Sequence, residues 1–386
     1  MEFAALICLI TCSALIAYNY VIYPVAIILL QRIIPDKHHD RIRNMTYAPS
    51  VSFIIAAYNE ELVIDKKLKN TFKLDYPVEK MQIIVVSDGS NDSTPDIVKQ
   101  YSEKNVLSLH EYQRAGKSAA LNRACEQASG DILIFSDANN DYDKQAIRLL
   151  VRHFADTEVG AVTGCKHIYD NVGRQSARGD GLYWKYESRI KSAESHLGSI
   201  TAAEGEILAV RRNLFTPIPR GYINDDAAIT FNIMKKGYRV LYEMEAKAYE
   251  EASKNIIDDF HVKVRMATGG YQTLMHEFSY LIPPRSWFAF SFFSHKILRW
   301  LTPHFMLLVL ITSLVLSYLW PVRLFLFCQL TFYLLALFGW KQRSEPSLPS
   351  ILYIPMYFTS MNLAMFSGFL KFITGKGSVN WRKAER

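Results

Sequence analysis

The sequence predicts an α/β protein: a mostly parallel sheet, covered by helices on both faces, inserted between transmembrane helices. Three observations predict this. Half of the 386 residues are hydrophobic and 21% are charged, but the apolar residues concentrate at the two ends. In the middle, short β-branched apolar runs alternate with helix-patterned stretches through short connections, the pattern of a parallel sheet with crossover helices. Polar clusters follow those runs directly, at the carboxyl ends of strands where ligands bind in such sheets.

Taken in chain order, residues 1–35 carry no basic residue before Arg32 and exceed the roughly 20 residues needed to cross a bilayer. With no basic segment before it and too long an apolar run, this is a spanning helix and not a cleaved signal peptide. Arg32, Lys37, Arg41 and Arg43 follow it, which predicts a cytoplasmic central domain by the positive-inside tendency. That domain covers residues 36–280. Val51–Ile55, Gln82–Val86 and Asp131–Phe135 are buried-type strands; Glu60–Phe72 and Ser118–Ala128 have helical spacing, the latter closed by Ser129-Gly130. Residues 281–301, aromatic with His295, Lys296 and Arg299, are expected to form an amphipathic helix in the membrane interface. Residues 302–386 hold about three further spans (303–320, 322–340, 350–373) and a basic tail with Lys371, Lys376, Arg382, Lys383 and Arg386. Three spans would leave that basic tail outside, so the run with Pro355 is either re-entrant or interfacial, or a span is miscounted.

The balance of 44 Lys and Arg against 37 Asp and Glu gives +7 with no lysine-rich tract. This suits an anionic membrane surface and phosphorylated substrates, not nucleic acid. Cys8, Cys12, Cys125, Cys165 and Cys328 show no paired spacing, which excludes a disulfide framework or a zinc site and points to a reducing compartment.

Candidate chemistry sits on the polar clusters. Asp88 and Asp137 each end a strand; either could cap the next helix, but two on successive strands beside Tyr58-Asn59-Glu60 favour a nucleotide or metal role. Asp137-Ala138-Asn139 offers a carboxylate and an amide oxygen two residues apart, donors that suit Mg²⁺ or Mn²⁺. Ala115-Gly116-Lys117-Ser118 lacks the first glycine of a P-loop, so an ATPase is excluded, while Lys117 at a helix start could meet an anion. Asp225 and Asp226 precede a helix closed by Gly237; Arg265 lies ahead of Gly269-Gly270.

In this order the residues resemble the membrane-bound family-2 glycosyltransferases of GT-A (Rossmann-like) fold, the group of hyaluronan, chitin, cellulose and poly-N-acetylglucosamine synthases. The matching pieces are Ala57-Tyr58-Asn59-Glu60, Ser87-Asp88-Gly89-Ser90, Gly116–Asn122, Asp137-Ala138-Asn139, Asn224-Asp225-Asp226 and Arg265. The resemblance implies nucleotide recognition by Tyr58, Glu60 and Asp88, with Lys117, Asp137 and Arg265 also toward the nucleotide. It implies a divalent metal at Asp137 and Asn139, and a catalytic base at Asp226 with Asp225 beside it. Glu204 and Gly205 would border the acceptor; Trp184, with Tyr183 and Tyr186, either stacks there on sugar rings or, as a helical aromatic cluster more often does, packs in the core. Asn139 replaces the family's second Asp, and Val262 and Met266 stand where its Q-x-x-R-W motif has Gln and Trp.

The implied function is an inverting hexosyltransferase of the plasma (inner) membrane. It would move sugar from a nucleotide-diphosphate sugar, a UDP-hexose or UDP-N-acetylhexosamine, to a polysaccharide or lipid-linked acceptor. A processive polysaccharide synthase and an inactive scaffold of an export complex are the alternatives. The few C-terminal spans imply a homo-oligomer or an accessory export subunit.

Overall fold

The computed structural model describes residues 2–35, 46–169, 175–251, 256–284, 286–343 and 348–377, with side chains of 175–183 and 256 excepted. Lys37, Arg41, Arg43, Arg382, Lys383, Arg386 and the Tyr183 side chain therefore lie outside the described residues.

Eight strands form one sheet: β1 Val51–Ala57, β2 Met81–Asp88, β3 Val106–Glu111, β4 Ile132–Asp137, β5 Asn140–Tyr142, β6 Val159–Tyr169, β7 Ile207–Arg211 and β8 Arg239–Glu251. Their order is β3-β2-β1-β4-β7-β6-β8-β5. The first four in that order are parallel, as is β6 with β8; β7 runs antiparallel to both β4 and β6, and β5 antiparallel to β8. All seven residues of β1 are buried. Successive side chains on a strand point to opposite faces, so Phe53 and Ile55 enter one core while Ile54 and Ala56 enter the other. This double coverage is why the strand reads as continuously apolar.

The principal helices are α1 Glu2–Ile33, α2 Ile64–Thr71, α3 Lys117–Glu126, α4 Gln175–Leu197, α5 Asp225–Lys235, α6 Ile256–His276, α7 Trp287–Val315, α8 Trp320–Lys341 and α9 Ser350–Ile373. By length and composition α1, α7 and α8 could cross a membrane. The separate interface helix expected over 281–301 is, from Trp287 onward, the first half of the continuous helix α7, joined through a π-turn at Phe293–Ile297. The third expected C-terminal span, α9, is not among the spanning candidates; Ser360, Asn362 and Gly368 are buried in it beside Pro355. It lies against α8, where Gly339 meets the Leu352 carbonyl, and against α6, where Gly368 admits Val264, Ala267 and Thr268.

Polar side chains dock the sheet domain onto these helices. His295 of α7 lies 3.2 Å from Glu187 and 2.8 Å from Glu194 of α4, Lys296 donates to Glu187 at 3.0 Å, and Arg299 also bonds Glu187. Asn19 of α1 donates to the Ser294 carbonyl, and Tyr23 to Glu194. Burial would raise the Glu187 carboxyl, but Arg299, Lys296 and His295 hold it well below the usual range. Removing one member would leave a buried charge uncompensated, which is costly.

Candidate active site

The site forms at the carboxyl ends of β1, β2 and β4, where the strand order reverses, the usual crevice of an open α/β sheet. Asp88 ends β2 with both oxygens engaged. Its Oδ2 accepts from the N–H groups of Ala115 (3.0 Å) and Gly116 (2.6 Å), and its Oδ1 from Arg123 (2.9 Å). It therefore neither caps the next helix nor points at open space; it fixes the loop that starts α3. Gly116 holds φ +93°, a backbone state that favours glycine, and so turns the chain into the Lys117 helix. Asp88→Asn should cost about 1–3 kcal/mol of stability through mispaired buried groups. The denaturation midpoint would fall, and a matching rise in donor KM would tie the loop to donor binding.

Tyr58 lies under the Arg114 guanidinium, 3.6 Å from the ring centre. Glu60 is buried and its N–H donates to Thr94 at 2.8 Å. These two and Asp88 stand to one side of a 590 Å³ cavity that is lined by Asp137, Asn139, Glu204, Gly205, Asp225, Asp226, Arg265 and Trp184. Lys117 joins the two parts: its ammonium is 2.7 Å from Asp137 Oδ1 and 3.6 Å from Asp225 Oδ2. Burial alone would lower the Lys117 pKa, but Asp137 and Asp225 push it above the usual lysine value.

Asp225 and Asp226 form the first turn of α5. Asp226 Oδ1 accepts from the Ala227 N–H at 2.8 Å, yet burial, followed by repulsion from Asp225, raises its pKa to about 7. A carboxylate poised there can take up a proton near neutral pH. Two glycines let neighbouring elements close on this turn. A Cβ at Gly205 would sit 3.2 Å from Asp226 Cβ, and one at Gly269 would sit 2.4 Å from Asn224 Oδ1. The run Gly269-Gly270 lies inside α6, where Asn224 and Trp300 occupy the space that Cβ atoms would need. Gly269→Ala should displace Asn224 from its 3.1 Å bond to the Met266 carbonyl and move the Asp225-Asp226 turn. The expected cost is about 1–3 kcal/mol by overpacking, with turnover falling more than donor affinity in steady-state kinetics.

Asn139 donates through Nδ2 to Glu250 Oε1 at 3.0 Å. Lys166 pairs with Glu250 and, at 3.0 Å, with Glu206. Burial lifts the Glu206 carboxyl to about 8. Among the described residues no cluster of three or more His, Cys, Asp or Glu could by itself hold a metal ion. The Asp137 carboxylate suits a cation, since the Lys117 ammonium already rests against it, and Asn139 offers an amide oxygen two residues on. Expected as a sugar-stacking face, Trp184 has the ammonium groups of Lys166, Lys191 and Lys263 within 5.8, 5.6 and 5.5 Å of its ring. Glu204 pairs with Lys191.

Sequence reasoning missed Lys67 and Asn140, which hold the Asp137–Asn140 turn in place. Buried Lys67 donates to Asn140 O (2.9 Å) and Oδ1 (2.6 Å), Ser136 donates to Asn140 Oδ1, and Asn140 donates to the Glu206 carbonyl. Burial brings the Lys67 pKa down to about 7. The signal was there: Ile64, Lys67, Leu68 and Thr71 share one buried helix face, so a lysine stands in an apolar stripe.

The fold is of the GT-A kind. The solved mannosyltransferase PcManGT from Pyrobaculum calidifontis, in complex with GDP-Man and Mn²⁺, matches the chain with a TM-score of 0.74, covering 96% of this chain and 99% of that one at 22% identity. Residues 52–215, somewhat under half of the chain, match the model of Glycosyl transferase family 2. The chain is 29% identical over 245 residues to poly-beta-1,6-N-acetyl-D-glucosamine synthase of Staphylococcus aureus (strain COL), covering 61% of this chain and 58% of the relative. It is 28% identical over 264 residues to beta-monoglucosyldiacylglycerol synthase of Synechocystis sp., covering 66% and 55%. The chain thus spans somewhat over half the length of these curated relatives.

Proposed function

We propose that the protein is a membrane-bound, inverting hexosyltransferase that moves one sugar from a nucleotide-diphosphate sugar, a UDP-hexose or UDP-N-acetylhexosamine, to a lipid-linked acceptor. The observation that carries this reading is Asp226, a buried carboxylate raised to about 7, on a cavity whose far wall is formed by Tyr353, Tyr357 and Met361 of α9. A site walled by a helix this apolar suits an acceptor that stays in the bilayer.

In the reaction, Asp226 takes the proton of the acceptor hydroxyl as its oxygen bonds to the anomeric carbon. The bond from that carbon to the diphosphate breaks on the opposite face, and its electron pair leaves with the nucleoside diphosphate. One base suffices, unlike the carboxylate pair of a glycosidase. Lys117 and Arg265 compensate the charge that gathers on the leaving group. A divalent cation held by Asp137 and Asn139 would supply further charge compensation there.

We place the sheet domain on the cytoplasmic side of the plasma membrane, with α1, α7 and α8 crossing and α9 interfacial. Supporting this, α9 meets the last turn of α8 near its start and α6 near its end, so both its ends sit on the sheet-domain side. The basic C-terminal tail then also lies inside, as the positive-inside tendency favours. A homo-oligomer or an accessory subunit would complete any export path.

The test incubates membranes containing the protein with labelled UDP- and GDP-sugars, with and without Mn²⁺ or Mg²⁺, beside Asp226→Asn. Metal-dependent transfer into a lipid extract, lost in the variant, is expected. A long water-soluble polymer would establish the processive alternative, which the likeness to the poly-N-acetylglucosamine synthase favours. No transfer from any donor by folded protein would overturn the enzyme reading.

A further inference from the structure

Two of the helices that could cross a membrane, α1 and α7, each carry one π-turn, at Tyr18–Ile22 and Phe293–Ile297. Such a turn breaks the regular ladder of an α-helix, so the backbone groups it leaves over need partners from elsewhere. In α7 the Leu298 N–H reaches back five residues to the Phe293 carbonyl. The Ser294 carbonyl, which Leu298 would serve in an α-helix, is left over, and Asn19 of α1 donates to it through Nδ2 at 2.6 Å. In α1 the helical donor for the Tyr20 carbonyl would be residue 24, but Pro24 has no N–H. The Tyr186 hydroxyl of α4 donates to that carbonyl at 2.9 Å. Each π-turn is thus completed by a side chain from another element.

These contacts converge on Arg299. Asn19 is fully buried, and its Oδ1 accepts from Arg299 Nε at 3.4 Å. The Arg299 guanidinium bonds Glu187 and lies 5.3 and 5.7 Å from the ring centres of Tyr20 and Tyr186. Tyr20, Tyr186 and Arg299 all line the catalytic cavity.

From Arg299 the packing runs on to the acids. Trp300, the next residue, fills the space at Gly270 of α6, and its carbonyl accepts from Tyr271 at 2.6 Å. At the adjoining Gly269 the space is filled by Asn224, which leads into Asp225 and Asp226. Two consecutive glycines of α6 therefore seat α7 and the turn that bears Asp226. A membrane anchor needs none of this. A polar amide inside an apolar helix is costly in lipid, and leucine at position 19 would anchor better.

We propose that Asn19 and Tyr186 are positioning residues of the active site. By completing the paired π-turns they fix Arg299 and Trp300, and through α6 the Asp226 turn, so that α1 is part of the catalytic site and not an anchor alone. This rests on the transferase reading above, with Asp226 as base, and adds what holds that base in place.

The experiment compares the full chain in nanodiscs with Asn19→Leu and Tyr186→Phe, each of which removes hydrogen bonding and keeps most of the side chain's bulk. Hydrogen exchange read by mass spectrometry needs no substrate. The Ala227 and Ala228 amides, bonded to Asp226 and Asn224, should exchange about tenfold faster in both variants, the scale of one lost hydrogen bond, while strand Val51–Ala57 exchanges as in wild type. Kinetics supply the second readout. With a membrane lipid extract as acceptor, kcat should fall about ten- to hundredfold, as for a small misplacement of a reacting group, with the donor KM and the binding of UDP with Mn²⁺ unchanged. Because Asn19→Leu and Gly269→Ala act on one turn, their effects on kcat should not multiply in the double variant.

Unchanged exchange at Ala227 and Ala228, or exchange raised throughout the sheet, would overturn the positioning role even if wild type transfers sugar normally. Full multiplication in the double variant would overturn the coupling through α6. Faster exchange confined to the turn, in a protein whose wild type transfers from no donor, would support the positioning role and overturn the transferase reading. Tyr186→Phe loses a single oxygen and decides the matter by itself should Asn19→Leu not fold.

Discussion

Asp226→Asn is expected to lower sugar transfer by about 10³-fold while leaving the fold and donor affinity intact, within the range that general-base catalysis contributes. The amide keeps the size of the carboxylate and can still accept from the Ala227 N–H, but it cannot take up the acceptor's proton. The pH dependence follows from the same burial. Below about 7 Asp226 is protonated, so kcat/KM should rise with pH and level off above that value. The sign for stability is opposite. A carboxyl whose folded pKa lies above its unfolded value binds more protons when folded, so this group's contribution to stability declines as pH rises from about 4 to about 7. In Asp226→Asn that decline should be absent from thermal melts taken across the window, and the melting temperature at pH 7 should be higher than in wild type. An unchanged rate would remove Asp226 from the chemistry.

Asp137→Ala should cost about 10²- to 10³-fold in transfer, the scale for losing one preorganised electrostatic partner. It takes away the carboxylate 2.7 Å from Lys117, leaving that ammonium with Asp225 at 3.6 Å. Two readouts separate the consequences. Mn²⁺ binding in the presence of nucleoside diphosphate, followed by electron paramagnetic resonance, should weaken strongly if Asp137 and Asn139 hold the cation. Chelation should abolish wild-type activity and change little in the variant. Retained Mn²⁺ affinity would move the metal role elsewhere and leave Asp137 as a partner of Lys117 alone.

Much of the site was legible because it depends on chain-local features. A strand that ends in Asp, a glycine before a helix that starts with lysine, and two acids at a helix start each occupy a few consecutive residues. Val51–Ala57, Met81–Asp88 and Ile132–Asp137 lie where their β-branched runs place them. What the sequence does not show is a side chain's partner when that partner is distant in the chain. Asp88 reads as a ligand group in sequence, and the structure adds that it accepts from the Ala115 and Gly116 N–H groups, 27 and 28 residues on. Trp184 reads as an aromatic face in sequence, and the structure adds three lysines from separate elements around it.

Segment boundaries in the membrane region behaved in the same way. The break expected near 301 does not occur, because nothing in Trp287–Val315 stops a helix: Pro303 sits within it and the charged residues before it find buried partners on α4. Hydrophobicity could show that Ser350–Ile373 prefers an apolar setting, but not whether lipid or protein provides it. Gly339 and Gly368 show that protein covers part of it, since each lets a neighbouring element approach closer than a Cβ would allow, while Ile351, Ile354 and Leu363 stay exposed.

By itself the sequence determined the class of fold, three of the eight strands and the acids that end two of them, since buried strands and helix starts are set by patterns of neighbouring residues. Only the tertiary structure decided which of those acids meet: Asp137 and Asp225 on Lys117, Asp226 against Gly205, Asn139 on Glu250. The reason is physical. A charge is tuned by what lies within a few ångströms, and in a sheet whose strands are adjacent out of sequence order those neighbours come from elements up to 111 residues apart.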